Sequence, residues 1–260
     1  MPAAQPRWLF VFSHPNHEIA VFGHMQRLRP HLVFLTDGGG PQRVAESRRG
    51  LEHLGLAEHA QFLGHPEQSL YAALLARDVG FWQGLASEIA RVVERVRPDC
   101  VAADAVEFYN PVHDMSLPLA EAALAESARP AALYEVPLIF EKARGASGDY
   151  AVQTPLAAGG EAIELSADEW AKKIGCWRTI YGQLRAQLGT VIDAIGDGSL
   201  AREVLHPARD ALRQPAAEER LRYEERGRKL QERGEVAEVI TLHGHVRPVV
   251  QALLGGRARR

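Results

Sequence analysis

The feature of this sequence that most constrains its fold is a series of five short apolar runs that alternate with helical stretches. Each run has four to seven residues, a length typical of buried strands. The runs cover residues 8–12, 31–37, 61–64, 100–104 and 131–136, and helices are predicted over 43–55, 78–96 and 117–127. Strands that alternate with helices favour a mostly parallel sheet with helices on both faces. We therefore predict a Rossmann-like α/β fold.

The chain is long and apolar enough to bury a sizeable core, with 260 residues of which 46% are hydrophobic. We predict an α/β domain over residues 1–190 and a helical C-terminal extension over 191–260 that packs on the same domain. A helix over 168–188 ends the first part, and a highly charged helix over 215–234 belongs to the second. The Gly- and Ala-rich segment 145–160 is predicted to be a loop or a hairpin.

Composition excludes several classes of function. The net charge is −3 and the isoelectric point about 6.4, so the chain lacks the basic field of a nucleic-acid-binding protein. Cys100 and Cys176 are far apart and form no CxxC pair, which fits a reducing compartment. The apolar run at 8–12 is too short to cross a membrane. We expect a soluble, cytoplasmic protein without nucleic-acid or membrane partners.

A dense polar turn, Ser13-His14-Pro15-Asn16-His17-Glu18, follows the first strand directly. Ligands of open α/β sheets bind at the carboxyl ends of the strands. Pro15 fixes its own φ and restricts His14, so the turn is stiff and two imidazoles can converge on one metal ion. The alternative is that these histidines are ordinary polar residues near the surface.

A second polar loop, over residues 107–114, follows the fourth predicted strand and brings His113 to the same edge of the sheet. Three imidazoles and a water molecule are the ligands of an open catalytic zinc site, whereas structural zinc sites are usually closed by four protein ligands. We therefore predict that His14, His17 and His113 bind Zn²⁺ or another divalent transition metal.

These motifs resemble those of the LmbE/PIG-L family of zinc-dependent N-deacetylases. That family carries an Ala-His-Pro-Asp-Asp-Glu turn after its first strand and a His-x-Asp-His loop later. Here the turn is altered to His-Pro-Asn-His-Glu, and Asn110-Pro111-Val112-His113 stands in the place of the loop. The similarity covers about residues 7–140 and extends more thinly to about 187. Further matching stretches are 35–39, 43–46, 54–55, 62–64, 173–177 and 181–183.

The resemblance implies that the three histidines hold the metal, with His17 in the place of the family's Asp ligand. The family's general base corresponds to Asn16, whose amide cannot accept a proton from water. The helper His of the later loop corresponds to Asn110. The metal ligands therefore persist in altered form, while the proton-transfer groups of the family are absent.

Two functions remain open. The first is a metal-dependent amide hydrolase, an N-deacetylase that acts on an N-acylated amino sugar or a related small molecule and cleaves a non-peptide carbon–nitrogen bond. Loss of a general base typically costs a factor of about 10²–10⁴, so this function requires a compensating group. The second is a catalytically degenerate protein that binds metal and ligand without turnover. A carboxylate or His near the metal favours the first, and an apolar surround favours the second.

Further candidates complete the predicted site. The catalytic candidates are Asn16, Glu18 and Asn110, and the substrate-binding candidates are Asp37, Arg43, His243, His245 and Arg247. In an extended segment over 239–248, His243 and His245 share one face and lie beside Arg247, which is suited to clamp an anion. The alternative is that the two histidines lie on the surface. The partner that we expect is a small-molecule substrate, and a homo-oligomer is compatible with the sequence.

Overall fold

The computed structural model describes residues 5–138, 141–142, 151–152, 160–215 and 219–255. Its strands are β1 (Trp8–Phe12), β2 (His31–Thr36), β3 (Ala60–His65), β4 (Cys100–Asp104), β5 (Ala132–Val136), β6 (Glu141–Lys142), β7 (Ala151–Val152), β8 (Glu161–Glu164) and β9 (Arg202–Pro207). Its α-helices are α1 (Phe22–Leu28), α2 (Pro41–His53), α3 (Glu67–Leu75), α4 (Val79–Val96), α5 (Ser116–Glu126), α6 (Ala167–Thr179), α7 (Gly182–Ile195), α8 (Arg222–Glu232) and α9 (Arg247–Gly255).

Seven strands form one sheet in the order β3-β2-β1-β4-β5-β9-β8. The first five are parallel, and β9 runs antiparallel to both β5 and β8. The predicted α/β fold with a mostly parallel sheet is confirmed. Strand β1 lies between β2 and β4, so the order of the strands along the chain reverses beside β1. In open α/β sheets, ligands bind at the carboxyl ends of the strands at this point.

Helices cover both faces of the sheet, which explains why β1 is apolar throughout. Leu9 and Val11 of β1 pack in one hydrophobic cluster with residues of α3, α4, α5 and α9. Phe10 and Phe12 point to the opposite face and pack with residues of α1, α2, α6 and α7. All five residues of β1 are buried, so the turn that follows the strand leaves from the centre of the molecule.

The C-terminal part contributes to the same sheet. The predicted extension 191–260 contains β9, whose two apolar residues, Val204 and Leu205, are fully buried. Because this apolar pair is short and charged residues flank it, the sequence pattern does not predict the strand. Helix α9 then packs against α4 and α5. No helix among the described residues is long and apolar enough to cross a membrane.

Other local predictions are corrected. The helix predicted over 168–188 is broken at Ile180–Tyr181 into α6 and α7. The extended segment predicted over 239–248 is wrong, because Leu242–Val246 forms a π-helical turn that leads into α9. The side chain of Thr241 caps this turn by accepting a hydrogen bond from the backbone N of Gly244. Of the predicted loop or hairpin over 145–160, residues 151–152 pair with 141–142, and residues 145–150 and 153–159 lie outside the described residues.

Candidate metal centre

The three predicted histidine ligands converge at the carboxyl edge of the sheet. His14 and His17 come from the turn after β1, and His113 begins a short 3₁₀ turn before α5. The ring centroids are 5.2 Å apart for His14 and His17, 5.0 Å for His14 and His113, and 4.5 Å for His17 and His113. Adjacent strands β1 and β4 therefore bring together side chains that are almost one hundred residues apart in the chain.

The hydrogen bonds of Thr36 assign the tautomer of His14. Thr36 donates its hydroxyl hydrogen to the backbone O of Ser13 at 2.9 Å, and its Oγ1 lies 2.6 Å from Nδ1 of His14. Since a hydroxyl has one hydrogen, Nδ1 of His14 must be the donor in this contact. The other nitrogen, Nε2, therefore carries a lone pair, and it is buried without a hydrogen-bond partner.

Asp104, the last residue of β4, fixes His17 in the same way. Its Oδ2 lies 3.0 Å from Nδ1 of His17 and also accepts hydrogen bonds from the backbone N and the hydroxyl of Ser13. Burial raises the pKa of Asp104, but His17, His113 and Ser13 outweigh it and hold the pKa below its usual value. An ionised carboxylate only accepts, so Nδ1 of His17 is the donor in this contact. Carboxylate–histidine pairs of this kind orient metal ligands.

Burial keeps two of the imidazoles neutral. The pKa values of His14 and His113 lie well below their usual value, first because both rings are desolvated and then because the other histidines and Arg43 repel a positive charge. A histidine must be neutral to bind a metal. The protonation state and the orientation of these rings therefore both suit coordination.

The spacing of the rings also fits a metal ion. Zn–N bonds of about 2.0–2.1 Å at tetrahedral angles place neighbouring imidazole centroids about 5 Å apart. As the side chains stand, no group of three or more His, Cys, Asp or Glu residues in the described part of the chain is placed to hold a metal ion, so coordination would require the rings to move. The buried, unpartnered Nε2 of His14 is the atom that such an ion would satisfy.

A carboxylate that the sequence analysis did not select lies at this group. Glu67, the first residue of α3, places Oε1 at 3.5 Å from Nε2 of His14. The hydroxyl of Tyr71 donates to the same oxygen at 3.1 Å, and Nδ2 of Asn110 donates to that hydroxyl at 3.0 Å. The predicted candidate Asn110 therefore reaches the histidines indirectly, through Tyr71 and Glu67.

Asn16 and Glu18 belong to the same turn as His14 and His17, and both are fully buried. Nδ2 of Asn16 donates to Oε2 of Glu46 at 2.8 Å, so this amide binds helix α2. Oε1 of Glu18 accepts from the hydroxyl of Tyr181 at 3.0 Å. Burial raises the pKa of Glu18, and hydrogen bonds from Ser47 and Tyr181 oppose the rise.

Asp37 and Arg43 flank the histidine group. Oδ1 of Asp37 accepts hydrogen bonds from the backbone N atoms of Gly39 and Glu67, so it orders the start of α3. Arg43 is partly buried, and its Nε has no hydrogen-bond partner. Burial lowers the pKa of Arg43, while Glu67 and Glu18 oppose this effect. Arg43 is therefore a cation close to the histidines with a donor atom available for a ligand.

The C-terminal candidates have other contacts. Nδ1 of His245 accepts a hydrogen bond from the backbone N of Thr241, and its Nε2 lies 3.1 Å from Glu238. The ring contacts that join the three histidines involve neither His243 nor His245. Arg247 lies 3.3–3.4 Å from backbone oxygens of the segment before α8 and lines a small cavity there. Their roles in substrate binding stay predictions.

Known structures share this fold. No protein-family model matches the chain, and no curated protein is detectably similar in sequence. A deacetylase triple mutant of the teicoplanin biosynthetic pathway matches with a TM-score of 0.55 and 14% identity, over 78% of this chain and 99% of that one. The A40926 pseudoaglycone deacetylase Dbv21 matches with a TM-score of 0.53 and 12% identity, over 81% of this chain and 100% of that one.

A conserved protein of Thermus thermophilus matches with a TM-score of 0.50 and 20% identity, over 83% of this chain and 99% of that one. At these identities the similarity shows a common fold. Because two of these structures are deacetylases, the comparisons support the fold that the LmbE/PIG-L resemblance implies.

Proposed function

We propose that this protein is a metal-dependent amide hydrolase of the LmbE/PIG-L type, an N-deacetylase that acts on an N-acylated amino sugar or a related small molecule. The observation that carries the proposal is the convergence of His14, His17 and His113, with the tautomers of His14 and His17 fixed by Thr36 and Asp104. The deacetylases with the same fold support the reaction class.

The three histidines would hold the metal, for which zinc is the first choice because imidazole nitrogens suit it. A bound zinc ion would polarise an amide carbonyl and lower the pKa of water. Thr36 and Asp104 keep the donor hydrogens of two rings on the far nitrogens, so the lone pairs stay available to the ion. Arg43 places an unpartnered donor beside them, where it can bind an oxygen of the substrate.

The alternative function, a degenerate protein without turnover, expects an apolar surround at the histidines. The structure instead shows the carboxylate of Glu67 at 3.5 Å from Nε2 of His14, ordered by Tyr71. An acidic group at this place differs from the apolar surround that the degenerate alternative predicts, which favours the hydrolase. The cytoplasmic location and the lack of nucleic-acid and membrane partners stay predictions of the sequence.

A metal-reconstitution assay tests the proposed function. The protein, stripped with a chelator and reloaded with zinc, is incubated with a panel of N-acetylated amino sugars, and the primary amine that is released is measured. We expect turnover in the zinc-loaded protein and its loss in the stripped protein and in His113→Ala. Stoichiometric zinc together with sugar binding, but without amine release, would support the degenerate alternative instead.

A further inference from the structure

Hydrogen bonds hold the carboxylate of Glu67 beside His14. It is the first residue of α3, and its backbone N donates to Oδ1 of Asp37 at 3.2 Å. One helical turn later, Tyr71 donates its hydroxyl to Oε1 of Glu67 at 3.1 Å. Asn110, from the loop that carries His113, donates to the hydroxyl of Tyr71. Three elements of the site therefore fix the position of one carboxylate.

The contact between Glu67 and His14 lacks a hydrogen. Nε2 of His14 carries a lone pair, because Nδ1 donates to Thr36. Oε1 of Glu67 is also an acceptor, and it faces Nε2 at 3.5 Å in the interior of the site. Two acceptors this close, of which the His14 nitrogen is buried and the Glu67 carboxylate partly buried, are unfavourable unless a positively charged group lies between them.

Charge balance points to the same carboxylate. Imidazoles that bind a metal are neutral, so three of them leave the two positive charges of the ion unreduced, and the nearby guanidinium of Arg43 adds a third. Asp104 contacts His17 and balances part of this charge. Burial of unbalanced charge is costly. In the resembled family the position of His17 is an Asp, so this chain lacks the negative charge that the family has at that position.

We infer that Glu67 is a fourth protein ligand of the metal, so that one carboxylate joins the three histidines; a water or substrate oxygen would then take a fifth position, which catalytic zinc sites can accept. This inference rests on the metal site of the proposed function and specifies its ligand set. It adds one ligand, from α3, to the three histidines that the sequence predicts. Glu67 supplies the negative charge of the missing Asp, from a different strand end and a different helix.

Zinc titration of the chelator-stripped protein by calorimetry tests the inference. In Glu67→Gln the side chain keeps its size and an oxygen for the Tyr71 hydroxyl but loses its charge. The matched control is Glu88→Gln, because Oε1 of Glu88 also lies close to a histidine nitrogen, 3.2 Å from Nε2 of His65, away from the three ligands. Thermal unfolding of both variants checks that they are folded.

We expect Glu67→Gln to weaken zinc binding by about 100-fold or more, beyond the effect typical of groups that only orient ligands. Glu88→Gln should stay within about 2-fold of the wild type. A crystal structure of the zinc-loaded wild type should place an oxygen of Glu67 at about 2.0–2.2 Å from the ion. This readout does not depend on the folding of any variant.

Other outcomes separate the two proposals. Unchanged zinc affinity in Glu67→Gln, or a Glu67 carboxylate outside bonding distance in the zinc-loaded crystal, overturns the inference and leaves the proposed function intact. Weaker zinc binding in Glu67→Gln together with a direct bond to zinc, but no amide hydrolysis by the wild type, supports the inference and overturns the proposed reaction. A wild type that binds no zinc overturns both.

Discussion

Nδ2 of Asn16 donates a hydrogen bond to Oε2 of Glu46 at 2.8 Å, and both side chains are fully buried. The backbone N of Asn16 also donates to the hydroxyl of Ser47 at 2.7 Å. Asn16 has a left-handed φ of 79°, which Asn adopts more readily than most residues. Asn16, which stands where the resembled family has its base, therefore anchors the histidine turn to helix α2.

This contact predicts the effect of restoring the family's carboxylate. In Asn16→Asp the donor is lost, and two carboxylates face each other in a buried place. We expect the free energy of unfolding near neutral pH to fall by about 2–4 kcal/mol, because a hydrogen bond to a charged group is lost and a buried charge is left without its partner. Urea unfolding of the two proteins measures the difference.

The double variant Asn16→Asp/Glu46→Gln is the control. It exchanges the donor and the acceptor, while the carbonyl oxygen of the new amide can still accept from the backbone N of Gln183, as Glu46 does. Most of the lost stability should return. Equal instability of the single and the double variant would show that the Asn16–Glu46 pair is not the cause. The double variant is also the better protein in which to test whether a carboxylate at position 16 raises hydrolysis.

Residues that follow a strand in sequence could be predicted, whereas partners that come from distant elements could not. His14 and His17 follow β1 directly, and His113 follows β4, so the topology alone brings them to one edge. Asp104 had a weak signal as a polar residue at a strand end. Glu67 had no such sequence signal, because it does not follow a strand directly. Its carboxylate reaches the site from the start of α3, a helix that the sequence pattern did not indicate.

The extended segment predicted over 239–248 is wrong for a physical reason. Two histidines with one residue between them share a face only in a strand, and the segment around His243 and His245 is helical. Thr241 decides this locally, because its hydroxyl caps the turn and its backbone N donates to Nδ1 of His245. Such side-chain to backbone bonds compete with extended structure, and residue spacing alone does not reveal them.

Removal of a histidine ligand should abolish stoichiometric zinc. We expect His14→Ala and His113→Ala to lose tight binding, because each removes one of three converging imidazoles. His59→Ala is the control. Its ring stacks on His31, the first residue of β2, with 4.9 Å between the ring centroids, and so lies at the opposite end of that strand from Thr36. Metal analysis after gel filtration gives the zinc content. Wild-type zinc content in His14→Ala would contradict the assignment.

The hydroxyl of Thr36, which accepts a hydrogen bond from Nδ1 of His14, should raise metal affinity without itself binding the metal. Thr36→Val removes the oxygen that holds Nδ1 of His14, so the ring loses its preferred tautomer. Zinc affinity should fall by about 10–100-fold, as for other groups that orient metal ligands. Thr179→Val is the matched control, because its hydroxyl bonds only the backbone O of Gly175 in its own helix. Competition with a zinc-binding dye measures both variants.

Gly50 leaves the space that lets Tyr181 reach Glu18. A Cβ at Gly50 would lie 2.0 Å from the hydroxyl oxygen and 2.7 Å from Cζ of Tyr181. Gly50→Ala should therefore lower the free energy of unfolding by about 1–3 kcal/mol through overpacking. Gly84→Ala, in helix α4 with nothing within 4 Å of its added Cβ, should raise stability by up to about 1 kcal/mol. In urea unfolding, the free energy of unfolding should therefore fall in Gly50→Ala and rise in Gly84→Ala.

A buried ion pair joins helix α6, strand β9 and helix α1. Nζ of Lys173, on α6, lies 2.8 Å from Oε1 of Glu203 on β9, and both side chains are fully buried. The carboxylate also accepts from the backbone N atoms of Gly23 and His24 in the first turn of α1. Burial raises the pKa of Glu203, but Lys173 and these hydrogen bonds outweigh it, and the pKa lies below its usual value.

This pair predicts how stability depends on pH. A carboxyl whose pKa is lower in the folded than in the unfolded protein stabilises the fold above the unfolded pKa, and this contribution is lost as the pH falls through the folded pKa. Glu203→Gln removes the charge and leaves Lys173 buried without its partner, so near pH 7 it should cost about 3–5 kcal/mol. Arg27→Gln, which removes an exposed ion pair between α1 and Glu169 of α6, should cost less than about 1 kcal/mol.

The difference in the free energy of unfolding between the wild type and Glu203→Gln, measured in urea, should shrink as the pH drops below the usual Glu pKa of 4.5. At such a pH the wild type takes up a proton on Glu203 when it unfolds. A difference that stays constant down to acidic pH would show that Glu203 stabilises the fold by packing rather than by its charge.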